Sequence, residues 1–241
     1  ISYTIHLNST LICKTENGNQ AETEDYIAGS KVLGLIAGAM GQTAYREMMS
    51  KENMVVSNAY IKCGQTRCIP GRASWQKEKD QSYDADGKMM IFDLLYEPDC
   101  GSRQMTSSGI DYIADDKKVM TVDTEISYHH QRPEDKSIGR ATGNEDGSSF
   151  YQLAGISEGQ SFGGFIYAGR EVAEKIIEAV GTLKHVRMGY GKSGEFGDVD
   201  FTLDSLEEVC DKNPQDTVKD AVITVLSDLV LYNKQGILTA E

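Results

Sequence analysis

The sequence predicts one α+β domain: an antiparallel sheet with helices on one face and long loop insertions. Two alternating stretches argue for the sheet. At the start, Ile1, Tyr3, Ile5 and Leu7 point one way while Ser2, Thr4, His6 and Asn8 point the other. That is the period-two pattern of a half-buried strand. Val119 to His130 repeats it, with Met120, Val122, Ile126 and Tyr128 set against Thr121, Asp123, Glu125, Ser127 and His129. Stretches of helical spacing between these strands supply the second layer. No segment is rich enough in linker residues to divide the 241 residues, and no repeat of fixed period runs through them. The order strand, helix, several strands, helix, strand, strand, helix fits a β-α-β-β-α-β core. Insertions are expected at about 64–88 and 97–118.

Each element has its own signal. Ser30 is a favoured N-cap residue and is expected to start the first helix. Leu33, Ile36, Ala37, Met40 and Ala44 recur at helical spacing and form its core stripe. Gly34, Gly38 and Gly41 make a second stripe. A glycine inside a helix costs roughly 1 kcal/mol against alanine, so this stripe predicts very close packing. Met54 to Cys63 reads as a strand, Gly64 to Asp86 as a polar insertion turning at Pro70-Gly71, with Trp75 as a loop anchor. Met89 to Tyr96 is a short apolar strand and Pro98 to Ser108 a loop. Two strands, around Phe150-Tyr151 and from Phe162 to Tyr167, flank the turn Ser157-Glu158-Gly159-Gln160. Val172, Ala173, Ile176, Ile177 and Val180 form the stripe of a short helix that Gly181 ends. Leu183 to Met188 and Asp198 to Leu203 are strands joined by a glycine-rich loop. Asn213-Pro214 then opens an amphipathic helix on Val218, Ala221, Val222, Val225, Leu226, Leu229 and Val230.

The formal net charge is -13 and the isoelectric point about 4.8. Taken whole, that argues against a free-standing nucleic-acid binder, whose domain is usually basic. The charge is segregated, however: Lys184 to Lys192 holds Lys184, His185, Arg187 and Lys192 and no acid. No apolar run approaches the roughly 18 to 20 residues that span a bilayer, and no signal peptide is visible. The five cysteines are Cys13, Cys63, Cys68, Cys100 and Cys210. An odd set with Cys13 in an apolar strand points to a reducing, cytoplasmic setting, not a disulfide framework.

The chemistry-bearing residues fall in clusters. His129, His130, Arg132, Lys136 and Arg140, followed by Thr142, offer donors suited to phosphates and base edges. One histidine acting as base on a ribose 2′-OH and the other as acid would make a catalytic pair. Adjacent strand residues point to opposite faces, though, which favours one histidine in binding and the other turned inward. The plainer alternative is a loop of solvated charges. From Arg187 to Gly197 the run RMGYGKSGEFG sets Gly189, Gly191, Gly194 and Gly197 beside Lys192 and Ser193. This could be an amide-lined anion cradle or simply a glycine-bearing hairpin. It lacks the spacing of a P-loop. Gly29-Ser30-Lys31 is a further place where helix amides and dipole favour phosphate. Cys63 and Cys68, with Cys100 and the histidines as possible completing ligands, are one loose pair with distant helpers and only a weak signal for a four-ligand zinc site. Asp111, Asp115, Asp116, Asp123 and Glu125 show no compact ligand spacing either. No metal and no cofactor are expected. Nucleophile elbow, dinucleotide fingerprint and H-E-x-x-H are absent.

Taken in order, the opening strand, IAGSKVLGLIAGAM, HHQRPEDKSIGRAT, FYQLAGISEGQSFGGFIY and RMGYGKSGEFGDVDF resemble the RAMP superfamily of CRISPR-associated proteins. Within it the chain is most similar to the Csx-ten group, the Cas-five-like subunit of type III-D effector complexes, from Ile1 to about Ile237. The resemblance implies a ferredoxin-like, RRM-like RAMP fold. It also implies a structural subunit that grips the repeat-derived 5′ handle of the CRISPR RNA. Implied partners are that RNA, neighbouring RAMP backbone subunits, the large polymerase-like subunit and, indirectly, target RNA, with no membrane. Carried onto this sequence, the RNA-binding residues would be Gly189, Gly191, Lys192, Ser193, Gly194 and Gly197 of the glycine-rich loop. His129, His130, Arg132, Arg140 and Thr142 would serve in the basic loop, and Gly29, Ser30 and Lys31 at the helix start. Arg187 would contact phosphate and Tyr190 or Phe196 would stack on bases. Members of the group often run longer, with a second RAMP-like half, so this chain is expected to be an N-terminal portion.

The protein is thus expected to bind RNA without catalysis of its own. The main rival is a RAMP endoribonuclease that processes CRISPR RNA without metal, with His129 or His130 as base. A target-RNA-cutting backbone subunit using Asp111 and a pure protein adaptor are further alternatives.

Overall fold

The computed structural model describes residues 1–15, 21–51, 54–82, 88–115, 117–131, 149–181, 183–207 and 225. In chain order the elements begin with β1 (Ser2–Leu7), α1 (Gly29–Met40), α2 (Gln42–Lys51), β2 (Val55–Val56), β3 (Tyr60–Cys63) and β4 (Thr66–Arg67). Next come β5 (Ile69–Pro70), β6 (Trp75–Glu78), β7 (Phe92–Asp93), β8 (Met105–Ser107), β9 (Tyr112–Ile113) and β10 (Val119–Met120). The rest are β11 (Thr124–Gln131), β12 (Ser149–Ile156), β13 (Ser161–Tyr167), α3 (Arg170–Val180), β14 (His185–Arg187) and β15 (Asp198–Ser205). The chain is α+β, with antiparallel strand pairs and few helices. It divides into two compact units, Ile1–Arg67 with Val122–Cys210 and Cys68–Thr121 with Asp211–Glu241. The stretches expected as insertions fall largely in the second.

The first unit is organised on β1. Its sheet runs β14-β15-β1-β13-β3-β4, with β2 added to β13. The pairs β15-β1, β1-β13 and β13-β3 are all antiparallel. The alternation of β1 has a direct physical outcome, because Tyr3, Ile5 and Leu7 are buried. Register sets Ile5 opposite both Phe162 and Phe201, and Tyr3 opposite Gly164. Tyr3 stacks on Phe201 with ring centroids 5.6 Å apart and donates its hydroxyl to the Ser57 carbonyl at 2.9 Å. A Cβ on Gly164 would lie 2.3 Å from the Tyr3 hydroxyl oxygen, so glycine makes room for the phenol. Val32 and Ile36 of α1 and Val172, Ala173, Ile176 and Val180 of α3 complete this core. Burying an aliphatic or aromatic side chain of this kind contributes about 1.5–3 kcal/mol.

The first helix departs from expectation in three ways. Its N-cap is Ala28, not Ser30, and no side chain on the helix itself caps it. The Gly29 amide instead donates to Asn58 Oδ1 at 2.9 Å, a cap supplied from the β2–β3 connection. Second, Cβ atoms on Gly34, Gly38 and Gly41 would meet nothing within 4 Å among the described residues, whereas one on Gly29 would lie 2.3 Å from the Val56 carbonyl oxygen. The close packing expected of the glycine stripe is therefore found at Gly29 instead. Third, the helix breaks at Gly41, at φ 80°, and α2 begins afresh, leaving Ala44 exposed.

Met54 to Cys63 is likewise two strands, not one. Between them Ala59 pairs with Ile27 through N–H···O bonds of 2.8 and 3.0 Å, and the Phe165 amide donates to Ser57 Oγ at 2.9 Å. Gly181 ends α3 as expected, its amide donating to the Ile177 carbonyl at 2.8 Å.

The second unit holds two small sheets, β10-β9-β5 and β7-β6-β8. Trp75 is not in a loop; it lies on β6 and donates its indole N–H to Asp93 Oδ2 at 3.1 Å. The Ser74 hydroxyl, with the Leu95 amide, the Trp75 indole and Arg72, holds the Asp93 carboxyl below its usual range. Tyr96 N–H also donates to the Asp93 carbonyl at 3.0 Å. These bonds turn the chain, so of the strand expected from Met89 to Tyr96 only β7 is extended. The loop expected from Pro98 to Ser108 contains β8.

Apart from Val225, the helix expected after Asn213 lies outside the described residues, as do Arg132, Lys136, Arg140 and Thr142. Among the described residues no helix is long and apolar enough to cross a membrane. Nor do three or more His, Cys, Asp and Glu side chains gather there as a possible metal site.

Candidate nucleic-acid interface

Three stretches of the first unit meet along one seam: the segment leaving β1, the β11–β12 ribbon and the loop between β14 and β15. The segment from Asn8 to Lys14 is stitched to both others. Leu11 exchanges backbone hydrogen bonds of 2.9 and 2.8 Å with Ile156 of β12. The Thr10 hydroxyl donates to Glu125 Oε1 on β11. On the other side, the Tyr190 amide donates to the Ile12 carbonyl at 3.2 Å and the Gly197 amide to the Thr10 carbonyl at 2.9 Å. Leu11, Ile12 and Cys13 are buried by this arrangement. Burial pushes the Cys13 thiol up to about 12, opposed by the Lys31 charge.

The glycine-rich loop is built to lie close. Gly197 has φ 76° and its Cβ would sit 2.0 Å from the Met188 carbonyl oxygen. Gly189 has φ 80° and its Cβ would meet Leu11 Cδ1 at 2.7 Å. Arg187 Nη1 donates to the carbonyls of Lys192, at 3.3 Å, and of Gly194. Arg187, itself exposed, therefore braces the loop. The amides of Tyr190, Gly194 and Gly197 also donate within the protein, so they are not open to a ligand anion. Lys192, Ser193, Gly194 and Glu195 are exposed. Lys14 Nζ lies 3.5 Å from the centroid of the Tyr190 ring, a cation–π contact on a half-exposed aromatic.

The ribbon pairs His129 with Tyr151 and His130 with Phe150. As expected for neighbours on a strand, the histidines part company. His130 is exposed, on the face that carries Tyr128 and Phe150, whose rings stack at 5.8 Å. His129 is half-buried and faces the glycine loop. It stacks on Tyr151 at 5.3 Å, takes the edge of Phe196 at 5.6 Å and has Glu195 Oε1 4.0 Å from Nδ1. Its Nε2 lies 2.9 Å from Ser127 Oγ, which donates to the Leu153 carbonyl at 3.2 Å. With its proton directed to Leu153, the serine accepts from Nε2–H. Nδ1 is the nitrogen on the Glu195 side of the ring.

The structure thus brings His129, Tyr190, Phe196 and the glycines of the 189–197 loop into one seam. Gly29, by contrast, has its amide taken by Asn58, and Ser30 is exposed in the first helical turn. Lys14, Ser127, Tyr151 and Glu195 join the seam without having been expected there. Ser127 was findable from its place two residues before His129 on a strand. Tyr151 depended on the β11–β12 register, and Lys14 and Glu195 on pairings far apart in sequence.

No protein-family model matches the chain, and no curated protein matches it. Solved structures with some likeness include a chain of the Type III-B Cmr-beta complex bound to cognate target RNA, at 10% identity and TM-score 0.45. The match covers 83% of this chain and 95% of that one. A chain of Type III-B Cmr-beta in the apo state gives 11% identity and TM-score 0.42 over the same shares. Similarities at this level do not establish a shared fold.

Proposed function

We propose that this chain is a structural, CRISPR RNA-binding subunit of a type III effector ribonucleoprotein, with a ferredoxin-like RAMP core in its first unit. The observation that carries the reading is the seam itself. Tyr190 carries Lys14 on its ring, His129 stacks on Tyr151 and meets the edge of Phe196, and exposed Lys192 lies between Tyr190 and Phe196 in the glycine-rich loop. Stacking faces interleaved with cations suit a single-stranded polyanion whose bases are splayed out. In this reading Lys192 meets phosphate, the rings hold bases of the repeat-derived 5′ handle, and Arg187 fixes the loop that presents them. Neighbouring RAMP subunits and the large polymerase-like subunit are the protein partners, in the cytoplasm.

The test is fluorescence anisotropy of a handle RNA on the full chain at low and high salt. Lys14→Ala with Lys192→Ala is expected to weaken binding and to lower the salt slope by about 0.7 for each phosphate no longer neutralised. Wild-type affinity at both salt concentrations would overturn the reading.

One observation favours a second reading. The Ser127 hydroxyl, accepting from Nε2–H, fixes the His129 ring through one nitrogen, as a general base needs to be fixed. As a RAMP endoribonuclease the protein would cut repeat RNA in EDTA. His129→Ala would abolish cutting and His130→Ala, on the other face, would not. Intact RNA after prolonged incubation removes this reading.

A further inference from the structure

The open face of the first unit's sheet carries a second arrangement. Opposite the buried side, β1 shows Ser2, Thr4 and His6, and β13 shows Ser161, Gly163, Phe165 and Tyr167. Charge divides this face. On β15, Asp200 accepts from Asn8 at 2.9 Å and pairs with His185 at 2.5 Å, while Asp204 accepts from Thr4 at 2.5 Å. On β3 and β4 the cations Lys62 and Arg67 lie across Gly163, where a Cβ would come within 3.2 Å of Lys62 Cδ and 3.5 Å of Arg67 Cβ. Lys62 has a counter-charge, Asp204 at 4.0 Å.

Arg67 is different. Its Nε donates to the Gly163 carbonyl at 3.0 Å and its Nη2 to the Asn58 carbonyl at 3.3 Å. The guanidinium carbon lies 4.8 Å from the Tyr60 ring centroid and 5.2 Å from that of Phe165. All these partners are neutral, and among the described residues no carboxylate pairs with it. Burial lowers its pKa, with only the phenols of Tyr60, Tyr3 and Tyr167 acting against that. A cation withdrawn from water without a counter-charge is costly, and an incoming anion relieves that cost. Beside it Tyr167 is 51% exposed, its ring 6.1 Å from Phe165, and its cross-strand partner Val55 is exposed too.

We propose that this half of the open sheet face is a second binding site for single-stranded RNA, with a phosphate at Arg67 and a base stacked on Tyr167. The acidic β15 half repels the polyanion and confines its path to the β13-β3-β4 side. The proposal rests on the RNA-binding reading for the nature of its ligand, but on residues separate from the seam.

The experiment measures a short fluorescein-labelled oligouridylate against the full chain. Tyr167→Ala is expected to weaken binding about fivefold or more, the effect of losing one stacked base, with an unchanged melting temperature. Tyr167→Phe, which keeps the ring, is expected to bind like wild type. Arg67→Gln is expected to lower the salt slope by about 0.7. Wild-type affinity of Tyr167→Ala overturns the proposal. If Lys14→Ala with Lys192→Ala weakens binding while Tyr167→Ala does not, the sheet site fails and the seam stands. If only Tyr167→Ala weakens it, the sheet site stands and the seam fails. A chain that binds no RNA removes both.

Discussion

Strands β1 and β11 have the same alternating pattern and opposite fates. In β1 the apolar side is closed over: Tyr3 and Leu7 are 1% exposed and Ile5 not at all. In β11 the apolar side faces out, with Ile126 at 49% and Tyr128 at 65%. The difference lies in the neighbours. β1 sits between β13 and β15 with α1 and α3 contributing to its core, whereas among the described residues β11 pairs only with β12. Alternation identifies a strand and which residues share a face; it does not say that the apolar face finds a partner. An aromatic face left open on a two-stranded ribbon is available for binding.

That contrast can be broken by substitution. Phe162→Ala, opposite Ile5, is expected to cost about 3–5 kcal/mol through the cavity it leaves, read as a fall in the urea midpoint at constant slope. Gly164→Ala is expected to cost about 1–3 kcal/mol by forcing a methyl against the Tyr3 ring. Combined with Tyr3→Leu, it should cost less than the sum of the single changes.

A smaller effect is expected in alkali. The folded pKa of Cys13 lies above its ordinary 9.0, and that of Tyr3 is also raised. The folded state therefore keeps protons that the unfolded state gives up. Their stabilisation is complete below the ordinary values and declines as pH rises from about 9 towards 12. Cys13→Ala should make the alkaline limb of a stability–pH curve shallower. The smallest effect belongs to the ribbon. Tyr128→Ala should change stability by no more than about 0.5–1.5 kcal/mol, the worth of one exposed stacked pair. A loss as large as that of Phe162→Ala would mean that the ribbon's open face is as much a core as β1.

Much of the first unit was legible. The burial of β1, the stripe of α3, the end of that helix at Gly181 and the parting of His129 from His130 all follow from local periodicity. Properties set by distant residues were not legible. Asn58 caps α1 from elsewhere in the chain, which local sequence preference for Ser30 could not foresee. The open stripe of Gly34, Gly38 and Gly41 shows that small residues permit close packing without requiring it. In the candidate site, the glycine loop announced itself by composition. Arg187 looked like a free cation because its carbonyl partners lie five and seven residues ahead in a turn that only the fold defines.

The place of β1 in the sheet also bears on how the protein is made. Its partners are residues 161–167 and 198–205, so β1 is made long before the strands that pair with it. At about 5–20 residues per second, a ribosome takes on the order of ten seconds or more to deliver β13. Throughout that interval Tyr3, Ile5 and Leu7 form an apolar strand with both edges open, the kind of segment that chaperones recognise and that seeds aggregation. Nascent-chain folding is therefore expected to be late and abrupt, with protease resistance of β1 arising only after the ribosome has passed β13.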